Sequence, residues 1–185
     1  MTVFEAIKSR TSYRGKYKNT PVSNEDLKKI MTAGLAAPSG CNKQTTSLIA
    51  VTDPLILKKL HEIINHSIGK TAPAIICVLT QRINAYRHQC FSTQDYSAAI
   101  QNMLLTIVEL GYQSCWVEGY ITDLDNIGRK MADVLGVPED YELICYLPVG
   151  IAEEPVVHVK KKNFDDRAWF NGFQRRRQSR KKKDG

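Results

Sequence analysis

The sequence predicts one layered domain of intermixed helices and strands, three layers thick, with helices on both faces of a sheet. Three observations carry that prediction. Ser47-Leu48-Ile49-Ala50-Val51-Thr52 and Ala74-Ile75-Ile76-Cys77-Val78-Leu79 are short apolar runs of the kind that form buried strands. Asp95 to Gly111 reads as a helix that is apolar around nearly its whole circumference, so it belongs in a core or at a subunit interface. Helical and strand patterns alternate along a chain of 185 residues with no internal repeat, which suits one well-buried domain and is short for two.

In chain order, Thr2 and Glu5 have the spacing of a capping box, and Val3-Phe4-Glu5-Ala6-Ile7 is a short amphipathic run behind it. Ser9-Arg10-Thr11-Ser12-Tyr13-Arg14 follows, with two guanidinium groups among hydroxyls. Arginines on a chain leaving a helix, beside hydroxyl donors, suit a multiply hydrogen-bonded anion such as a phosphate. Gly15 to Pro21 is polar and turn-rich. Ser23 is placed to cap the next helix, with Asp26 at the capping-box position and Leu27, Ile30, Met31 and Leu35 on one face. Ala36-Ala37-Pro38-Ser39-Gly40 ends it.

Beyond the first strand run, Leu55 to Ile64 reads as a helix, and Gln81 to Thr93 is polar and shows no element. Gly111 suits the C-cap of the long apolar helix. A short strand (Ser114 to Val117), a helix (Asp125 to Leu135) and a last strand (Leu143 to Val149) complete the pattern. From Glu153 onward there is no convincing period.

Hydrophobic residues make up 43% of the chain and charged ones 24%, ordinary values for a folded domain. No run approaches a membrane span and the N-terminus lacks the form of a signal peptide, so the expected location is cytoplasmic. The five cysteines form no Cys-x-x-Cys pair, and most read as reduced core residues. The net charge of +7 belongs mainly to the tail, where Arg175 to Lys183 supplies seven cations. The expected division is a domain over residues 1–173 and a basic tail over 174–185.

That tail supports a rival reading as a nucleic-acid-binding protein, although it lacks the interleaved aromatics of a single-strand binder. Other chemistries fit poorly. His61 and His66 are five residues apart, about 140° around a helix, whereas a zinc-binding helix needs a spacing of four; no metal site is expected. No Gly-x-Gly-x-x-Gly follows a strand, which argues against a tightly held dinucleotide. The four histidines suggest no Ser-His-Asp arrangement.

Four segments, in order, carry a resemblance: Arg10-Thr11-Ser12-Tyr13-Arg14, Ala37-Pro38-Ser39-Gly40-Cys41-Asn42-Lys43-Gln44, Trp116-Val117-Glu118-Gly119-Tyr120 and Leu147-Pro148-Val149-Gly150. Together with the helix Asp95 to Leu105 and its exit at Gly111 to Trp116, they resemble the FMN-dependent nitroreductase family over roughly residues 1–165. The resemblance implies an α+β fold, a three-layer α/β/α sandwich with a mainly antiparallel central sheet, assembled as a homodimer with FMN at the subunit interface. It implies NADH or NADPH as transient electron donor and a ping-pong reaction with nitroaromatic, quinone or similar electron-poor acceptors. Another flavin chemistry on the same scaffold, such as reductive dehalogenation, is an alternative.

The same resemblance assigns roles residue by residue. Arg10 matches the position that binds the terminal phosphate, with Thr11 and Ser12 as added donors. Arg14 matches a position near the pyrimidine edge, where a fixed positive charge tunes the cofactor. Pro38, Ser39 and Gly40 form a turn that approaches the ring from the partner chain, with Asn42 and Gln44 offering amides to its uracil-like edge. Glu118 and Gly119 match the loop over N5, where the Gly119 N–H is the expected donor. Lys160, Lys161 and Lys162 match a C-terminal cationic position that completes the phosphate site. No catalytic acid or base is required.

The chain departs from the family where Thr45 and Thr46 replace a usual Pro and aromatic residue, where lysines replace a C-terminal arginine, and in the short stretch from Leu79 to Asp95. From burial need alone, Phe164, Trp169 and Phe170 are expected to fold against the partner subunit.

Overall fold

Three apolar runs pair edge to edge to make the centre of the structure, a computed structural model that describes residues 1–119, 121 and 126–173. In chain order the elements are α1 (Val3–Ser9), α2 (Asn24–Leu35), β1 (Thr46–Val51), α3 (Pro54–Ile63), β2 (Ala74–Thr80), a hairpin of β3 (Asn84–Tyr86) and β4 (Gln89–Cys90), α4 (Ser92–Glu109), α5 (Ile127–Val134) and β5 (Glu142–Val149). β2 is the middle strand and is antiparallel to both neighbours, with Thr46 opposite Thr80 on one side and Ala74 opposite Val149 on the other.

Every residue of β2 is buried, so its side chains alternate between two apolar layers rather than between core and water. Ala74, Ile76 and Val78 meet Leu27 and Ile30 of α2 and Ile100, Met103 and Ile107 of α4. Ile75, Cys77 and Leu79 meet Leu57 and Leu60 of α3 and Ile127 and Met131 of α5. Each fully buried aliphatic side chain contributes about 1.5–3 kcal/mol. Burial also pushes the Cys77 thiol up to about 12, so it serves as a small inert apolar group.

A bulge in β5 decides which side chains face which layer. Val78 pairs with Cys145 but Leu79 pairs with Leu143, leaving Ile144 as the extra residue. The phase reverses there, so Leu143 faces α3 and α5 whereas Cys145 and Leu147 face α2 and α4. The three-layer antiparallel arrangement is therefore present.

Local chemistry fixes the helix starts. Both halves of the expected capping box form, with Thr2 N donating to Glu5 Oε2 at 2.7 Å and Glu5 N donating to Thr2 Oγ1 at 3.2 Å. Ser23 Oγ accepts from Asp26 N at 3.0 Å, but the second half of that box is not made. The Asp26 carboxylate instead accepts from Tyr112 OH at 2.9 Å, tying α2 to the exit of α4. Gln81 to Thr93, which showed no pattern, contains the β3–β4 hairpin and the first two residues of α4. The strand expected at 114–117 is reduced to two antiparallel bridges, Gln113 to Gly150 and Val117 to Tyr146.

Gly128, in the first turn of α5, packs where no side chain fits: a Cβ there would lie 2.7 Å from the Leu143 carbonyl oxygen and 2.6 Å from Ile121. Gly128→Ala is expected to destabilise by about 1–3 kcal/mol, read as a lower midpoint in urea; an unchanged midpoint would mean that α5 shifts freely on the sheet.

The chain beyond β5 runs back along residues 11–18. Lys18 N donates to Ile151 O, Glu153 N to Lys16 O and Thr11 Oγ1 to Val157 O, at 2.9, 2.9 and 3.2 Å. Past that point Phe164, Phe170 and Phe173 stand 64, 79 and 71% exposed in the single chain. The basic tail, 174–185, lies outside the described residues. No described helix is long and apolar enough to cross a membrane.

Candidate functional site

The candidate residues fall into three groups, each fixed by a different part of the fold. The first is the arginine segment. Arg10 is the C-cap of α1, its N–H donating to Ala6 O, and its extended backbone carries the chain off the helix. Tyr13 N then donates to Ser114 O at 2.9 Å, laying the segment against residues 113–117. Buried Tyr13 anchors it further, accepting at its hydroxyl from Glu154 N at 3.2 Å.

Arg10, Ser12 and Arg14 converge on Cys115. Burial pushes that thiol up, while Arg14, a hydrogen bond from Ser12 and Arg10 pull it down. Among the described residues neither arginine is in an ion pair, and Arg14 makes only a long hydrogen bond, 3.4 Å, to Ser12 O. Two guanidinium groups without acidic partners form a local excess of positive charge. Thr11 is buried, and its hydroxyl is already used on Val157.

The second group is the loop after α2. Gly40–Asn42 forms a single 3-10 turn, and Cys41, Asn42 and Gln44 take left-handed backbone with φ of 51°, 53° and 49°. Such conformations cost about 1–2 kcal/mol per residue outside glycine, so something must hold the loop. Asp95, buried in the first turn of α4, does so: one carboxylate oxygen accepts from Gly40 N at 2.8 Å and the other from Thr45 Oγ1 at 2.7 Å. Ser39 Oγ accepts from Gln44 N at 3.0 Å. The result is a braced loop whose Asn42 and Gln44 side chains are exposed and turned to solvent. Gly40 also lies against Phe91, and a Cβ there would come within 2.7 Å of that ring.

Asp95 was not among the residues picked from the sequence, where it read only as a helix start. Its signal is chemical: a carboxylate in the first turn of a nearly all-apolar helix needs donors. Asp95→Asn keeps the size but loses one acceptor. It is expected to lower stability by about 1–3 kcal/mol and open the 38–45 loop to protease; unchanged melting and cleavage would show that the carboxylate does not hold the loop.

The third group surrounds Glu118. Its two carboxylate oxygens accept from Trp116 Nε1 at 2.8 Å and Tyr96 OH at 3.1 Å. Burial raises the Tyr96 phenol, and the Glu118 carboxylate raises it further, keeping the proton on the donor. Glu118 O in turn accepts from Ile121 N at 2.8 Å, closing a turn around Gly119. Gly119 is exposed, and a Cβ built on it meets nothing within 4 Å among the described residues. Tyr120, next to it, lies outside the described residues.

α4 links the second and third groups, because Asp95 braces the 38–45 loop and the adjacent Tyr96 braces Glu118. Lys160, Lys161 and Lys162 are exposed. They follow Val157, the residue held by Thr11, by three to five positions. A cleft of about 610 Å³ between α3 and the loops at 19–22 and 70–73 contains none of these residues.

The chain resembles known proteins in sequence and in fold. The model of the family described as the nitroreductase family matches residues 7–68 and 64–151. A protein of Methanothermobacter thermautotrophicus, named as a candidate NADH dehydrogenase/NAD(P)H nitroreductase, is 32% identical over 159 residues, 84% of this chain and 80% of that protein. A candidate protein of the same name from Parabacteroides distasonis superposes with a TM-score of 0.77 at 28% identity, covering 92% of this chain and 98% of that one. A nitroreductase with bound FMN from Bacteroides fragilis superposes at 0.72 with 27% identity, covering 88% and 95%.

Proposed function

The chain belongs to the nitroreductase family, and on that premise we propose that this flavin-dependent oxidoreductase holds FMN between two copies of itself and passes electrons from NADH or NADPH to electron-poor acceptors. The observation that supports this best is the pair of guanidinium groups, Arg10 and Arg14, that face Cys115 without an acidic partner among the described residues. The residues present fit FMN. Arg10 is suited to its terminal phosphate, with the Ser12 hydroxyl or backbone as an added donor, and Arg14 supplies fixed positive charge for the ring's pyrimidine edge.

Thr11 has a different part in this reading. Its hydroxyl is committed to Val157 O, so it positions the C-terminal arm and offers the cofactor only backbone. Pro38, Ser39, Gly40, Asn42 and Gln44 belong to the partner's contribution. Their brace on Asp95 presents two amides at a fixed angle, each able to donate and accept. Gly119 would offer its N–H to N5, and the Glu118 carboxylate, held by Trp116 and Tyr96, keeps that turn in place. Lys160, Lys161 and Lys162, on the arm, would complete the phosphate site.

The redox chemistry is the cofactor's: hydride exchange at its N5, first with the nicotinamide donor and then with a nitroaromatic, quinone or similar acceptor. The protein's part is to bind, orient and balance charge, and no side chain acts as acid or base. Residues 1–173 carry the whole function and the basic tail is dispensable. Two half-reactions run separately under anaerobic conditions test the reading. NADH or NADPH alone is expected to bleach the visible flavin absorbance, and a nitroaromatic added afterwards to restore it, in the full chain and in a chain ending at residue 173. Bleaching only when donor and acceptor are present together would contradict the two-step scheme.

A further inference from the structure

The cleft of about 610 Å³ beside α3 lies apart from every residue assigned to the flavin, and its lining has the chemistry of a binding site. Two cations enter it from different elements, Lys58 from α3 and Lys70 from the loop before β2. Among the described residues neither is in an ion pair. Glu62, one turn beyond Lys58, is the acidic group on the same wall, so the cleft keeps a net positive charge.

The polar groups between them point the same way. The Thr71 hydroxyl accepts from Tyr17 N at 2.8 Å, which leaves its own proton free to donate. Among the described residues His61 Nε2 is buried without a hydrogen-bond partner at normal distance. Burial, and then Lys70, lower the His61 pKa, opposed by a hydrogen bond with the Gly69 backbone. The remaining lining is mainly apolar, with Leu57, Pro21, Pro54 and Pro73 its largest part and Asn19 and Thr52 its polar members. A bare inorganic anion would leave most of that volume and all of that wall unused.

We propose that this cleft is a second ligand site, separate from the flavin, for a small organic phosphate monoester whose phosphate sits between Lys58 and Lys70 and whose apolar body lies on the proline and leucine wall. Two lysines act as point charges on a dianion, and the Thr71 hydroxyl adds a neutral donor. Nothing in the site supplies chemistry to the ligand, so its role is binding.

The test is calorimetric titration of the FMN-loaded full chain, so that the flavin phosphate position is already filled. The probes are phenyl phosphate and inorganic phosphate at physiological salt. Phenyl phosphate is expected to bind with one site per chain and a Kd below about 1 mM, at least about tenfold tighter than inorganic phosphate. The double variant Lys58→Ala/Lys70→Ala should lose at least about tenfold in affinity while keeping its flavin absorbance and melting temperature. Lys28→Ala/Lys59→Ala removes the same charge from exposed positions outside the cleft, and it should bind as the wild type does. Three results would each overturn the proposal: no saturable binding of phenyl phosphate, equal affinity for the two probes, or undiminished affinity in the Lys58/Lys70 variant. Loss of flavin in every preparation would bear on the proposed function instead, since the cleft shares no residue with that site.

Discussion

Arg10→Ala is expected to purify with little or no flavin, and to need at least about a hundredfold more FMN than the wild type to reach half saturation. That size follows from removing a charge-assisted, two-pronged hydrogen bond to a dianion, a change worth about 3 kcal/mol where the site is screened from water. The substitution should leave the fold intact. Arg10 caps α1 through its backbone N–H, which alanine keeps, and its side chain makes no ion pair among the described residues. Lysine at the same position should recover only part of the affinity, because an ammonium is a single point charge. A variant as yellow as the wild type after gel filtration would show that the phosphate is held elsewhere.

Gly119→Val is the second large effect. A Cβ at residue 119 has no neighbour within 4 Å among the described residues. Unfolding should therefore be unchanged to within about 0.5 kcal/mol, as for an ordinary surface position. Turnover should fall by at least about a hundredfold, because the valine occupies the space through which the ring must approach to reach the Gly119 N–H. The pairing of full stability with lost activity separates this from a folding defect. Unchanged turnover would remove Gly119 from the site. Trp116→Phe offers a graded comparison: it frees one oxygen of Glu118 but leaves the turn itself, so its effect should be the smaller of the two.

Much of the architecture was legible because several segments have one clear period or one clear cap. β2 reads as a two-sided strand and is buried at every position. The all-round apolar helix appears as α4, beginning at Ser92 rather than Asp95 because the three residues ahead of Asp95 are polar and carry no apolar period. The β3–β4 hairpin was illegible for a similar reason: its pairs, Asn84 with Cys90 and Tyr86 with Gln89, show no alternation, and its turn is made by Arg87 and His88 at positive φ rather than by glycine. The strand expected over Ser114 to Val117 leaves only two bridges, Gln113 to Gly150 and Val117 to Tyr146, with Tyr13 N donating to Ser114 O between them.

The candidate site divides along the same line. Candidates that rest on residue type and order, such as the arginines and the glycine of the 118–119 turn, could be proposed from the chain alone. Residues that act by bracing could not. Asp95, Tyr96 and Trp116 lie 50, 22 and 2 residues from what they hold, and only folding brings the first two into contact with their partners. Long-range hydrogen bonds leave no periodic trace in a sequence. The exposed aromatics of the arm, Phe164, Phe170 and Phe173, extend the point to assembly, since their burial would depend on a surface that one chain does not contain.

The central claim is that two copies of this chain together hold FMN. Gel filtration with light scattering and simultaneous visible absorbance, on protein supplied with FMN and freed of excess, measures mass and flavin in one run. The account predicts a species of twice the mass of the 185-residue chain carrying two flavins. A colourless monomer would contradict it.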